Sequence, residues 1–337
     1  MNSMDRILTE AMVRKALKDM KDSPARGARN LVDLGLLFAR GPFQRYFLKS
    51  LQEIMKNEDS PYYRLVEDTV SHVDQDRLLT FSMNLGYNSC TYGAKTIRQI
   101  EKEQHFDIPW AMFLEAGEAD SLPDTYDPVI CQGNALGIYT WFLFSRQQTA
   151  ALLSLAAEHR DNAFALFCDA EEITEDLMER AAGINNIMFV VRYGADADDA
   201  CRILREHRML YALCLIYTSA DVPKILSGEY LDCAQALHPV FAAAIAMPDC
   251  SEDERKAVFT YLCGARESQC FQVVPWDCVY DSCSIDSVIS EDPCSAGFNA
   301  AGHLITMYQQ RLQDECNLFL HSLREILRFT FPKVSRT

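Results

Sequence analysis

Apolar side chains recur at three- and four-residue spacing early in the chain. Leu31, Leu34 and Phe38 mark one stripe and Phe43, Phe47, Leu51 and Ile54 a second. Each spacing puts its residues on one face of a helix, over Ala28–Arg40 and Pro42–Lys56. From residue 79 the pattern changes to short apolar runs alternating with amphipathic stretches. Leu79–Leu85, Gly137–Phe144, Ala163–Phe167, Ile187–Arg192, Met209–Tyr217 and Phe241–Met247 read as strands, and Ala111–Glu115 is a further candidate. From 137 onward a helical pattern fills every gap, which is the rhythm of βαβ units on a parallel sheet. Near-continuous apolar runs such as FAAAIAM and YALCLIY suit a sheet covered on both faces. Ser145 with Gln148 and Ser251 with Glu254 read as helix-capping boxes. Toward the end, Leu312, Cys316, Phe319 and Leu323 again repeat at helical spacing, as core packing would. The expected fold is α/β: a partial (β/α)6 TIM-like barrel over residues 79–266, preceded by a helical layer over 1–78 and followed by a cysteine-bearing tail and a C-terminal helix over 267–337.

Charge narrows the partners. The 337 residues carry 32 basic and 48 acidic side chains, a net −16. Residues 1–60 hold 11 basic and 8 acidic groups, a local +3 that leaves −19 for the remainder. A phosphate-tracking surface would sit in a repelling field, so nucleic acid is not an expected partner. The charged N-terminal stretch has no apolar core of signal-peptide length, and no run approaches the roughly 20 apolar residues that cross a bilayer. A cytoplasmic protein without a membrane segment is the expectation. Thirteen cysteines in such a chain argue for thiols or metal ligands rather than a disulfide framework.

In a parallel barrel the reactive groups stand where strands end and βα loops begin. Arg146, Asp169, Arg192, Tyr193, Thr218, Ser219 and Asp249 all fall at or just past predicted strand ends. The loop after the first predicted strand reads NLGYNSCTYGAK, with Cys90 at a loop–helix junction where a helix N-terminus would activate a thiol. Between 111 and 128 the chain carries Glu115, Glu118, Asp120, Asp124 and Asp127 with no base, a solvated loop or a carboxylate metal cluster. Cys270, Cys278, Cys283 and Cys294 offer four thiols in 25 residues, with Cys278, Cys283 and Cys294 as candidate metal ligands although no CxxC pair supplies the usual chelate. His159, His207 and His321 read as surface groups on helices, and HExxH, GxSxG and P-loop patterns are absent.

Residues 84–95 resemble the cluster loop of radical S-adenosylmethionine (radical SAM) proteins, a CxxxCxΦC pattern after the first barrel strand. Gly86, Cys90, Tyr92 and Gly93 stand at the first-cysteine, second-cysteine, aromatic and third-cysteine positions. Ala116–Gly117–Glu118–Ala119 keeps the Gly-Glu of the family's Gly-Gly-Glu-Pro motif if Ala111–Glu115 is the second strand, whereas Thr140–Leu143 keep none of it. Cys294, Gly297 and Gly302 in CSAGFNAAGHLITMY resemble the opening of the SPASM or twitch extension. The resemblance implies a barrel that has lost two of three cluster thiolates, so no [4Fe–4S] cluster is expected at 86–93. Cys90, Tyr92, Arg146, Asp169 and Arg192 become its cofactor- or ligand-binding candidates. The implied role is a non-catalytic scaffold for a peptide or a partner maturase. The alternative is a metal-dependent enzyme using the 278–294 cysteines or another non-standard site.

Overall fold

A computed structural model describes residues 3–39, 41–117, 122–306 and 314–333. The chain opens with helices α1 (Ser3–Asp22), α2 (Pro24–Phe38), α3 (Pro42–Ile54), α4 (Pro61–His72) and α5 (Gln75–Ser82), then a π-helical stretch Met83–Gly93 and α6 (Ala94–Gln104). The sheet follows: β1 (Ala111–Glu115), α7 (Leu122–Leu136), β2 (Thr140–Phe144), α8 (Thr149–Glu158), β3 (Ala163–Cys168), α9 (Glu175–Ala181), β4 (Ile187–Arg192), α10 (Ala197–Glu206) and β5 (Tyr211–Tyr217). It continues through α11 (Val222–Leu226), α12 (Glu229–Gln235), β6 (Phe241–Ala246), α13 (Glu252–Ser268), β7 (Val274–Asp277) and α14 (Tyr280–Ile289) to the hairpin β8 (Ala296–Phe298) and β9 (Leu304–Thr306), then α15 (Leu323–Thr330).

Strands β1 to β7 lie side by side in chain order and all parallel. β8 is parallel to β1 on its other side, with β9 antiparallel at that edge. The partial barrel expected from the sequence is therefore what forms. It runs to seven consecutive strands, because Val274–Asp277, with Pro275 and Asp277 in a four-residue run, carries no strand signature.

Leu79–Leu85 corrects the sequence reading. Asp74 caps α5 by accepting from the N–H groups of Asp76 (2.9 Å) and Arg77 (3.1 Å), and Leu78, Leu79, Phe81 and Met83 are all buried. A short run whose apolar side chains are mostly buried has no period that separates strand from helix. The first strand is instead Ala111–Glu115, so Thr140–Phe144 is the second and the Gly-Gly-Glu-Pro motif has no counterpart at its end; Glu118 lies outside the described residues. The tail also differs. Leu312 lies outside the described residues, Cys316 ends a 3-10 turn, and Ser322 with Glu325 forms a capping box that starts α15 only at Leu323. Ser251 caps α13 as expected, whereas Ser145 bonds the Gln148 N–H while α8 begins at Thr149.

The N-terminal layer is a floor beneath the sheet. Its side chains bond the carbonyls just before successive strands: Asn84 those of Arg160 (2.7 Å) and Asn162 (2.8 Å), Asn88 that of Asp161 (2.8 Å), and Arg77 that of Ile184. Asp74 N–H bonds the Arg208 carbonyl (3.0 Å), and Arg205 grips Asp68 through both guanidinium nitrogens. Gly93 meets Gly137 at the foot of β2. A Cβ at Gly93 would come within 2.3 Å of the Gly137 carbonyl, and Gly137 has φ +98°, so both positions need glycine. The approach to β1 rests on buried acids. Glu101 accepts from Ile108 N–H and Asp286 from Trp110 N–H, both at 2.9 Å, while Lys333 Nζ lies 3.1 Å from Glu101 and 3.0 Å from Asp107.

Candidate functional site

Register fixes which side chains share a face. Phe113 pairs with Phe142, and Phe144 with Phe167, so these four rings lie on one side of the sheet. They stack: Phe113 on Phe142 at 4.6 Å and Phe144 on Phe167 at 4.3 Å between ring centres. The opposite side carries Trp141, fully buried against α7, where a Cβ at Gly133 would fall 2.3 Å from its ring. The aromatic face is thus the one turned away from α7, and Phe113 and Phe144 remain partly exposed on it. The sequence signal for this wall is the period-two pair Phe142 and Phe144 in WFLF; Phe113 and Phe167 join it only through strand register.

At the C-terminal ends of β1 to β4 the charged residues come in pairs. Arg146 lies 3.1 Å from Glu115 and Arg192 lies 3.0 Å from Asp169, with the guanidiniums 70% and 55% exposed. Glu172 sits between them as a hub, accepting from Ser145 Oγ (3.0 Å), Thr149 N–H (3.1 Å), Thr149 Oγ1 (2.6 Å) and Asp169 N–H (3.2 Å). The structure therefore brings Arg146, Asp169 and Arg192 to one rim, and adds Glu115 and Glu172. Exposed pairs of this kind contribute only about 0–1 kcal/mol each. A ligand offering a carboxylate or a cation could exchange partners with them at little cost. Thr218 donates to Asp221, and Ser219 to Glu254 and the Asp249 carbonyl, so these groups hold helix starts. Tyr193 stacks edge-on against Tyr230, and burial pushes its hydroxyl up to about 12.

Cys90 and Tyr92 lie at the other end of the strands. Both belong to the π-helical stretch in the floor, where Ser89 takes a hydrogen bond from Thr140 at the start of β2 (2.9 Å) and Tyr92 stacks edge-on against Tyr139. Burial pushes the Cys90 thiol up to about 12, as for a structural thiol and the reverse of what a helix N-terminus would do to it. The tail thiols do not converge either. Cys278 bonds Cys214 of β5, Cys283 lies in α14 against Asp286 and Ser295, and Cys294 lies beyond that helix near Asp286 and Ser290. Cys278, Cys283 and Cys294 thus form no group able to share one ion. Of the acids 115–127, Glu115 is on the rim and Asp124 and Asp127 belong to α7; Glu118 and Asp120 lie outside the described residues.

No protein-family model matches the sequence, and no curated protein matches it. Among solved structures the chain is similar to Streptococcus suis SuiB bound to S-adenosylmethionine, at TM-score 0.50 and 10% identity over 69% of this chain and 66% of that one. SuiB bound to its precursor peptide SuiA is similar at TM-score 0.48 and 9% identity, over 69% and 67%. The chain thus spans just under two thirds of the SuiB chain first matched. SuiB is a radical SAM enzyme, and at this identity the likeness is one of fold alone: the chain shares a barrel fold with it.

Proposed function

We propose that this chain is a radical-SAM-like barrel that binds a peptide or a partner maturase at its strand-end rim without cleaving S-adenosylmethionine. One observation carries the reading: the segment after the first strand, residues 116–121, has the sequence AGEADS and no thiol, while Cys90 lies partly buried in the floor at the opposite end. A [4Fe–4S] cluster needs thiolate ligands. Cys168, at the end of β3, is in register with Val191 on the helix-covered side, and burial raises its thiol well above the ordinary range. These residues do not fit a cluster at the mouth. What the rim offers instead is exchangeable charge above a partly exposed aromatic wall, a surface suited to an extended peptide with both charges and an aromatic side chain.

The test is anaerobic reconstitution with iron and sulfide, followed by metal analysis and assay for 5′-deoxyadenosine. The expected result is no stoichiometric iron and no cleavage product. About four irons per chain, the content of one such cluster, lost in Cys90→Ala, would overturn the reading and restore a redox enzyme. A panel of candidate peptides, titrated against the native chain and an Arg146→Ala/Arg192→Ala variant, tests the binding half: the variant should bind more weakly, and equal affinities would remove the rim from the proposal.

A further inference from the structure

Outside the rim, Asp127, Cys131 and His159 make up the one group of three or more potential metal-ligating residues that converges among the described residues, with all three ligand atoms within 4.8 Å of one another. Asp127 and Cys131 are one turn apart on the same face of α7, and His159 is the residue that ends α8 beside it. The backbone of His159 is fixed on both sides. His159 N–H bonds the Leu155 carbonyl (3.2 Å), and the His159 carbonyl accepts from Asn162 N–H (3.0 Å) and from Asn186 Nδ2 (3.1 Å). Its side chain is 9% exposed, and Nε2 is buried without any hydrogen bond although Asp127 Oδ1 is 2.9 Å away, because the two atoms are not aligned for one. A buried imidazole nitrogen beside a carboxylate and a thiol, with a hydrogen bond to neither, has an unmet bonding position.

We infer that Asp127, Cys131 and His159 form a binding site for one zinc-like divalent cation that clamps α7 to α8. One carboxylate oxygen, one thiolate and one imidazole nitrogen match the borderline-soft preference of Zn2+. Metal–ligand bonds of about 2.0–2.3 Å at tetrahedral angles put ligand atoms roughly 3.3–3.8 Å apart. Asp127 Oδ1 and His159 Nε2, at 2.9 Å, have to separate by a few tenths of an ångström, which a rotation of the half-exposed Asp127 side chain supplies, while a rotation of the exposed Cys131 side chain brings in the thiolate. Without an ion, partial desolvation and then the Asp127 carboxylate push the Cys131 thiol up; a dication between the two reverses the sign of that interaction. Three protein ligands leave a fourth position for water on the exposed Cys131 side. The site lies on the helix side of the sheet near the foot of β3, apart from the rim, and stands whether or not the rim binds a peptide.

The experiment uses the full chain, purified reduced and stripped with chelator, then titrated with Co2+ alone and with Zn2+ alone. One equivalent of Co2+ should give a thiolate charge-transfer band that Zn2+ displaces. Cys131→Ser should abolish the band, and His159→Gln should weaken Zn2+ binding by more than about tenfold, a loss that even an outer-shell partner can cause. Both variants are checked by circular dichroism, and Cys131→Ser, at an exposed position, carries the test should His159→Gln misfold. The absence of a band and of tight Zn2+ binding in the native chain would overturn the site. So would binding that persists unchanged in Cys131→Ser, since twelve other cysteines would then hold the ion.

Discussion

Asp277, the last residue of β7, is a buried carboxyl whose cost can be read from its pH dependence. It is 3% exposed, and its Oδ1 accepts from the N–H groups of Val279 (3.0 Å) and Tyr280 (2.7 Å) at the start of α14. Burial first, and then the Asp281 carboxylate, outweigh those hydrogen bonds and push Asp277 up from 3.8 to about 7. The native state therefore keeps this proton after the unfolded chain has released it, and stability falls as pH rises between about 4 and about 7. A shift of about three units at 1.36 kcal/mol each comes to about 4 kcal/mol above pH 7. Asp277→Asn keeps an Oδ1 for both N–H groups and removes the titration. Urea unfolding followed by tryptophan fluorescence should show the variant gaining on the native chain by about 1.4 kcal/mol per pH unit. That is about 2 kcal/mol from pH 5.5 to 7, a range above the pI near 4.9, with a plateau beyond. A stability difference that stays flat across that range, or runs the other way, would refute the reasoning.

The remaining predictions probe the floor and the thiols. Lys333→Met leaves Glu101 and Asp107 buried without their cation and should lower unfolding stability by about 3 kcal/mol in the same assay. Gly93→Ala drives a Cβ into the Gly137 carbonyl, and a loss of about 1–3 kcal/mol is expected; an unchanged urea midpoint would mean the seam can open without cost. Brief alkylation of the native protein, read by peptide mass spectrometry, should modify exposed Cys131, Cys233 and Cys270 and spare Cys90; labelling of Cys90 at a comparable rate would contradict its enclosure.

Legibility in the sequence followed the strength of the local signal. β2 to β6 were plain because each is a long apolar run flanked by helical patterns, whereas β7, four residues including Pro275, lacked any period. Leu79–Leu85 misled because a short helix whose apolar side chains are mostly buried has the composition of a buried strand, and that error carried Cys90 and Tyr92 to the wrong end of the barrel. Arg146, Asp169 and Arg192 could be placed at strand ends from the sequence because strand ends are predictable, but Glu115 as the partner of Arg146 and Glu172 as the hub between the pairs could not. Glu115 and Glu172 become neighbours only once β1, β2 and β3 align. His159 read as a surface group for the same reason. Its relation to Asp127 and Cys131 depends on how two helices pack, which no spacing along the chain records.

The floor also sets a timetable. Asn84 contacts the chain 78 positions later, Arg77 107, and Glu101 meets Lys333 only 232 positions on. Topologies dominated by such distant pairings fold slowly, because the loop-closing entropy is spent before the contacts form. At roughly 5–20 residues per second of synthesis, Glu101 waits roughly 10–50 s for Lys333 to be made. Until the strands between them are made, the apolar faces of the early helices have no sheet to cover. The last of these contacts to become available, Lys333 with Glu101 and Asp107, joins the stretch after α15 to the helices that precede the sheet.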